Sequence, residues 1–115
     1  MCGIVGLFGS GKISNKDLKK IKKMLTSIKY RGPDDRKIIK RNNHVAACAR
    51  LAIVGRVIRS NIPFETERYI FSYNGELYNF KYLRTILKKE FKFTTESDTE
   101  VFIKAFEKWG IECFQ

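Results

Sequence analysis

The chain has 115 residues, of which 43% are hydrophobic and 13% aromatic, so it can bury a modest core and is not a disordered segment. Its longest apolar stretches, residues 2–8 and 45–54, are much shorter than the roughly 18–20 residues of a membrane span. We therefore expect a single cytoplasmic domain without a membrane partner. The 3 cysteines show no CxxC spacing, so the sequence predicts neither a disulfide framework nor a metal site.

The chain is strongly basic, with 23 Lys and Arg against 12 Asp and Glu and a net charge of +11. A positive field of this size can attract nucleic acid without a specific site. The lysines of residues 16–23, however, alternate with Leu18 and Ile21 at the spacing of an amphipathic helix, which predicts a solvated helix face. A basic nucleic-acid-binding domain is therefore the weakest of the functions considered, since only net charge favours it.

The first half of the chain predicts a strand, a helix, a loop and a hairpin, in that order: residues 2–8, 14–30, 31–35 and 37–54. Ser14 and Asp17 have the spacing of a capping box at the helix start. Asn42 and Asn43 separate the two hairpin strands, and their tolerance of positive φ suits a tight turn.

The second half predicts one strand and two helices, at residues 68–73, 78–90 and 98–109. Gly110 follows the last apolar residue of the final helix and is expected to end it. Strands joined by a hairpin, with helices set apart in sequence, favour the α+β class over a doubly wound parallel sheet.

Cys2 combines two reactive groups if Met1 is removed, because the same residue then carries a thiol and a free α-amino group. A free thiol ordinarily has a pKa of about 8.5 and an α-amino group one of about 7.7–8.0, so a proton can pass between them at little cost. The amine can then act as the base for the thiol nucleophile. The alternative is a small core residue, since cysteine in an apolar strand is usually buried.

Two further motifs also have two interpretations. Asn74-Gly75 is a strong hairpin signal, but the asparagine amide and the glycine N–H can also form a pair of donors for an oxyanion. The segment from Ser97 to Glu100 fits a capping box, and Asp98 is favoured at a helix start without any ligand.

Together these motifs resemble the glutamine-hydrolysing domain of the asparagine synthetases, a branch of the class II (N-terminal nucleophile) glutamine amidotransferases. Pro33 favours this branch over the sugar-phosphate and purine-pathway enzymes of the class. The resemblance covers the whole chain and rests on segments in the family's order: Met1-Cys2-Gly3-Ile4-Val5-Gly6, Arg31-Gly32-Pro33-Asp34-Asp35, Arg50-Leu51-Ala52-Ile53-Val54, Asn74-Gly75-Glu76-Leu77-Tyr78-Asn79 and Ser97-Asp98-Thr99-Glu100-Val101.

The resemblance implies a role for each of these positions. Cys2 would attack the side-chain amide of L-glutamine, and Asn74 with the Gly75 N–H would hold the oxyanion. Arg50 would bind the α-carboxylate of glutamine and Asp98 its α-ammonium group. The remaining pocket residues implied in this way are Leu51, Ile53, Val54 and Glu76.

The resemblance also implies a fold and a larger assembly. The family's hydrolase domain is an α/β/β/α sandwich of antiparallel sheets, and residues 1–115 correspond to its N-terminal portion. No cofactor is expected in this chain, since ATP and Mg²⁺ would belong to a synthetase domain that the chain lacks. A separate polypeptide with that domain is an expected partner, and we expect the chain alone to be marginally stable. The alternative function is a truncated, non-catalytic remnant or a partner-dependent interaction module.

The chain departs from the family's pattern on the strand that carries Arg50. The family usually shows His-Arg-Arg-Leu-Ser-Ile there, whereas this chain has Cys48-Ala49-Arg50-Leu51-Ala52-Ile53. The arginine implied to bind substrate is present, and a cysteine replaces the histidine two residues before it.

Overall fold

The computed structural model describes residues 2–51 and 62–115, and it confirms the predicted α+β class. These residues form two compact units, one of residues 2–51 with 62–75 and one of residues 76–115. No helix in the described ranges is long and apolar enough to cross a membrane. The elements are β1 (Gly3–Phe8), α1 (Asn15–Ser27), β2 (Asp35–Lys40), β3 (His44–Arg50), β4 (Phe64–Glu65), β5 (Ile70–Phe71), α2 (Phe80–Leu87) and α3 (Asp98–Trp109), with 3₁₀ turns at Lys29–Arg31 and Gly110–Phe114.

The main sheet of the first unit has 3 strands in the order β1-β3-β2, and β3 is antiparallel to both neighbours. Every residue of β3 from Val45 to Arg50 is buried. A strand with neighbours on both edges and cover on both faces carries mostly small or apolar side chains, which explains the alanine-rich sequence of β3. The register pairs Gly3 of β1 with Ala49 and Asp35 of β2 with Arg50.

Helix α1 covers one face of this sheet, and its capping box is confirmed. The Asp17 N–H donates to Ser14 Oγ at 3.2 Å, and the Ser14 N–H donates to Asp17 Oδ2 at 3.0 Å. The helix ends at Ser27 and continues as the 3₁₀ turn, so the predicted end near Tyr30 is wrong by one turn. Its apolar side packs in one cluster with β1 and β3, formed by Val5, Ile13, Ile21, Leu25, Val45, Ala47 and Ala49.

The hairpin between β2 and β3 is confirmed, but its predicted backbone conformation is wrong. The Arg41 N–H donates to the His44 carbonyl at 2.8 Å, so Asn42 and Asn43 form the two-residue turn. Neither asparagine has a positive φ. The carbonyls of both instead accept hydrogen bonds from the chain after β1, from the N–H groups of Gly9 and Ile13. The turn therefore ties the end of β1 to the β2–β3 hairpin.

The strand predicted at residues 68–73 is much shorter in the structure. Only Ile70–Phe71 pairs, with Phe64–Glu65, in a two-stranded antiparallel sheet. Thr66 and Tyr69 form a turn instead, because the Thr66 N–H donates to the Tyr69 carbonyl and the Tyr69 N–H donates to Thr66 Oγ1. Thr66 and Tyr69 continue the register of β4 on β5, so their bond closes the hairpin and residue 68 lies in the turn instead of the predicted strand.

The second unit is built on α2 and α3, which pack through Leu87, Val101 and Ala105. The predicted helix 78–90 is shortened to Phe80–Leu87. The predicted helix 98–109 is confirmed, and it ends at Gly110 with a φ of 59°, a conformation that glycine adopts without strain. The S-x-x-E motif forms only half of a capping box, since Ser97 Oγ accepts from the Glu100 N–H while the Glu100 side chain bonds elsewhere.

Candidate active site

The Cys2 thiol is held at the end of the central strand. Because β1 and β3 are antiparallel and pair Gly3 with Ala49, Cys2 lies beside the residues that follow Ala49. The Leu51 N–H donates to Cys2 Sγ at 3.4 Å, and the thiol donates to the Leu51 carbonyl at 3.6 Å. One backbone residue thus offers a donor to the thiolate and an acceptor to the protonated thiol.

The loop at residues 31–35 is fastened to the same place. Arg31 Nε donates to the Cys2 carbonyl at 3.4 Å, and the Asp34 N–H donates to the Arg50 carbonyl at 3.1 Å. Gly32 is buried between these two contacts, and a Cβ there would lie 2.1 Å from the carbonyl oxygen of Ala49. Only glycine lets the loop approach the β3 backbone so closely, which gives a physical reason for the sequence of this segment.

Arg50 is the last residue of β3 and is only 7% exposed. In the pairing of β2 with β3, Arg50 is opposite Asp35. A guanidinium stays charged at every working pH and can bind a carboxylate with two parallel hydrogen bonds. The structure therefore brings Cys2, Arg50 and Leu51 together at the end of β3.

Asn74 and Gly75 follow β5 in the same unit and are both exposed. The hairpin interpretation of this pair is wrong, because the next described element is helix α2 and neither residue has a positive φ. Gly75 packs closely against Tyr73, since a Cβ at Gly75 would lie 2.8 Å from the tyrosine ring. The oxyanion role of the pair stays a prediction.

The other predicted pocket residues lie in the second unit or outside the described ranges. Asp98 is buried at the first position of α3, and its Oδ2 accepts a hydrogen bond from the Leu77 N–H at 3.0 Å. Glu76 is exposed and precedes Leu77. Ile53 and Val54 lie outside the described residues.

Glu100 has a structural role that the sequence analysis misses. It is 2% exposed, and its carboxylate accepts 4 hydrogen bonds, from the N–H and hydroxyl groups of Thr94 and Thr95. Burial alone would raise the pKa of Glu100, but the Thr95 and Thr94 hydrogen bonds outweigh it and lower that pKa. Two consecutive threonines before a capping serine are the only local signal for this contact.

Cys48 is the second residue that the sequence analysis leaves without a role. It is fully buried on β3, opposite Ile4 in the register. Burial, the nearby Cys2 thiol and a hydrogen bond with the Cys2 side chain raise the pKa of Cys48 to about 12, while Arg50 acts weakly in the opposite sense. The alternation of side chains along two paired strands is the signal that predicts this proximity.

Comparison with known proteins identifies the family. Residues 1–115 match the profile of the glutamine amidotransferase domain. The chain is 30% identical over 113 residues to asparagine synthetase [glutamine-hydrolyzing] 1 of Arabidopsis thaliana, covering 97% of this chain and 19% of the relative.

Two further relatives carry similar names. The chain is 31% identical over 118 residues to asparagine synthetase [glutamine-hydrolyzing] 3 of Bacillus subtilis, covering 98% of this chain and 19% of the relative. It is 34% identical over 119 residues to asparagine synthetase [glutamine-hydrolyzing] of Bos taurus, covering 97% of this chain and 20% of the relative. The chain thus spans about a fifth of the length of these curated relatives. It belongs to the glutamine amidotransferase domain family, as a homologue of the glutamine-hydrolysing region of asparagine synthetases.

Proposed function

We propose that this chain hydrolyses the side-chain amide of L-glutamine through the thiol of Cys2 and releases ammonia. The observation that supports this most strongly is the Cys2 thiol bound to both backbone groups of Leu51, next to buried Arg50, in a chain of the glutamine amidotransferase family. A thiol held by backbone groups at the end of a paired strand supports a role for Cys2 as the nucleophile of covalent catalysis.

The proposed reaction proceeds through a thioester. After removal of Met1, the α-amino group of Cys2 takes the thiol proton, and the sulfur attacks the amide carbon of glutamine. The Asn74 side-chain amide and the Gly75 N–H donate to the resulting oxyanion. The carbon–nitrogen bond then breaks as the nitrogen takes a proton, ammonia leaves, and water hydrolyses the glutamyl thioester to glutamate and the free thiol.

We further propose that two opposite charges recognise the substrate. Arg50 pairs with the α-carboxylate of glutamine, and Asp98 pairs with its α-ammonium group. Burial of Arg50 and Asp98, each 7% exposed, strengthens their interactions with opposite charges. Primary amides that lack these charges would bind weakly. The same proposal assigns the rest of the pocket to Leu51, Ile53, Val54 and Glu76.

The relatives' names support a use for the ammonia. Because the three are named glutamine-hydrolysing asparagine synthetases, we propose that the ammonia serves asparagine synthesis. The synthetase activity, with its ATP and Mg²⁺, would lie outside residues 1–115, and we propose a separate polypeptide as its carrier. Asparagine formed from glutamine only when that polypeptide is added would support this arrangement.

The test of the glutaminase proposal measures ammonia and glutamate released from L-glutamine by the purified protein, with and without a synthetase partner. Cys2→Ala should lower turnover at least about a thousandfold, because the nucleophile is lost. Cys113→Ala is the matched control, since Cys113 packs in the apolar cluster of the second unit, and it should keep turnover. Mass spectrometry should show that Met1 is absent. Retained Met1, or hydrolysis by Cys2→Ala equal to that of the parent, would overturn the proposal.

A further inference from the structure

The buried thiol of Cys48 lies beside the proposed nucleophile. In the antiparallel pair β1–β3, Ile4 is opposite Cys48. Side chains alternate between the faces of a strand, so Cys2, two residues before Ile4, shares a sheet face with Cys48. The Cys48 side chain is fully buried, and the Cys2 thiol lies close enough to raise its pKa.

We propose that Cys48 is a positioning residue for Cys2: its S–H donates a hydrogen bond to Cys2 Sγ and, together with the Leu51 N–H, stabilises the thiolate. This inference rests on the proposed nucleophilic role of Cys2.

The direction of the hydrogen bond follows from the environment of Cys48. Burial and the adjacent Cys2 thiol keep Cys48 protonated well above neutral pH, with a pKa of about 12. Cys48 is therefore the donor over the whole range in which an ordinary thiol ionises, near pH 8.5. The S–H group is a weak donor, but hydrogen bonds to charged acceptors are stronger than neutral ones.

Leu51 supplies the second hydrogen-bond donor to Cys2 Sγ. In the thiol form, Cys2 donates to the Leu51 carbonyl at 3.6 Å. Once that proton leaves, the Leu51 N–H at 3.4 Å and the Cys48 S–H are both donors to the same sulfur. The two donors come from β3 and the residue directly after it, so their spacing is fixed by the strand. They favour the ionised form that attacks the substrate.

The charged groups around Cys2 and Cys48 must be the same in every variant tested. They lie on each neighbouring element: Arg50 on β3, Arg31 in the 3₁₀ turn, Asp35 and Lys37 at the register positions opposite Arg50 and Cys48, and the α-amino group of Cys2 itself. Substitution of Cys48 by an uncharged residue leaves all of them in place. A shift in the pH profile of Cys2 then reports the loss of the thiol donor.

The experiment follows the rate at which iodoacetamide alkylates Cys2 as a function of pH. Mass spectrometry of the N-terminal tryptic peptide, which ends at Lys12, separates Cys2 from the other thiols. Cys48→Ala should move the midpoint of the profile upward by about 0.5–1 pH unit, which lowers the rate about three- to tenfold below the midpoint. Cys48→Ser retains a hydroxyl donor and should restore the midpoint. Cys113→Ala should leave it unchanged.

Each outcome decides the question. An unmoved midpoint in Cys48→Ala overturns the inference, and so does an equal upward shift in Cys48→Ala and Cys48→Ser, which would indicate packing alone. A thermal melt of the variants shows whether they fold, and Cys48→Val, which lacks a donor and fills the space of the thiol, replaces the alanine variant if that variant does not fold. Failure of the glutaminase proposal is seen separately, because only the Cys2→Ala assay for ammonia reports it.

Discussion

Replacement of Gly32 by alanine perturbs the contact that holds the 31–35 loop to the central strand. The added Cβ would lie 2.1 Å from the Ala49 carbonyl oxygen, 2.2 Å from its carbonyl carbon and 2.4 Å from the Arg50 nitrogen. These atoms belong to the backbone of β3, which is paired on both edges and cannot move aside without breaking hydrogen bonds. The loop must therefore move away from the strand.

The cost can be estimated from these distances. Overpacking of a rigid site typically costs about 1–3 kcal/mol, and the backbone contacts at Gly32 place it near the upper end. With an unfolding entropy of about 2.1 cal/mol/K per residue, about 3 kcal/mol lowers the Tm of a two-state chain of 115 residues by about 12 °C. Displacement of the loop also removes the Arg31 bond to the Cys2 carbonyl, and a shift of about 1 Å at the nucleophile lowers turnover about a hundredfold.

The assay combines thermal unfolding by circular dichroism with glutamine turnover at 25 °C. Gly11→Ala is the matched control, because no atom lies within 4 Å of the Cβ that it adds. Its free energy of unfolding should change by about 1 kcal/mol or less. A Gly32→Ala protein that melts with the parent and keeps its turnover would refute the role given to this contact.

Three other substitutions test separate parts of the chain. Asn74→Ala should lower kcat about a hundred- to a thousandfold with a much smaller rise in KM, and an unchanged kcat in steady-state assays would contradict the oxyanion assignment. Glu100→Gln should lose about 1–3 kcal/mol at pH 7 in urea titrations, because one of the two carboxylate oxygens that accept from Thr94 and Thr95 becomes an NH2 donor. The hydrogen bonds lower the pKa of Glu100, so this stabilisation is complete above its ordinary value of 4.5 and is lost as the pH falls further, where the two proteins should converge. Ser14→Ala should cost about 1 kcal/mol through the lost cap of α1, measured in the same titrations, with Ser10→Ala as a control outside the helix.

The elements that the sequence predicts well are those defined by local signals. The apolar spacing and the Ser14 cap locate α1, and the spacing from Val101 onward with Gly110 locates α3. The strand at residues 68–73 is mispredicted because its alternating pattern is also compatible with a turn. The hydrogen bonds between Thr66 and Tyr69 decide between the two, and they involve a residue before the pattern begins.

The candidate site depends on contacts between segments far apart in sequence. Cys2 and Leu51 are 49 positions apart, and only the register of β1 on β3 brings them together. The proximity of Cys48 to Cys2 follows from the same register. The packing of Gly32 on Ala49 follows instead from the pairing of β2 with β3, which begins at Asp35 and Arg50. Motif order alone suggests that these residues belong to one site, but it gives no reason for Gly32 and assigns nothing to Cys48.

The hydrogen bond between Leu77 and Asp98 has a consequence for enzyme kinetics. Leu77 is three positions along the chain from Asn74, so the carboxylate proposed to bind the substrate ammonium also anchors the segment that follows the proposed oxyanion donors. Asp98→Ala should therefore raise KM and lower kcat together. Asp98→Asn keeps an oxygen acceptor for the Leu77 N–H but removes the charge, so it should raise KM alone. Comparison of these two variants separates substrate recognition from the support of the catalytic segment.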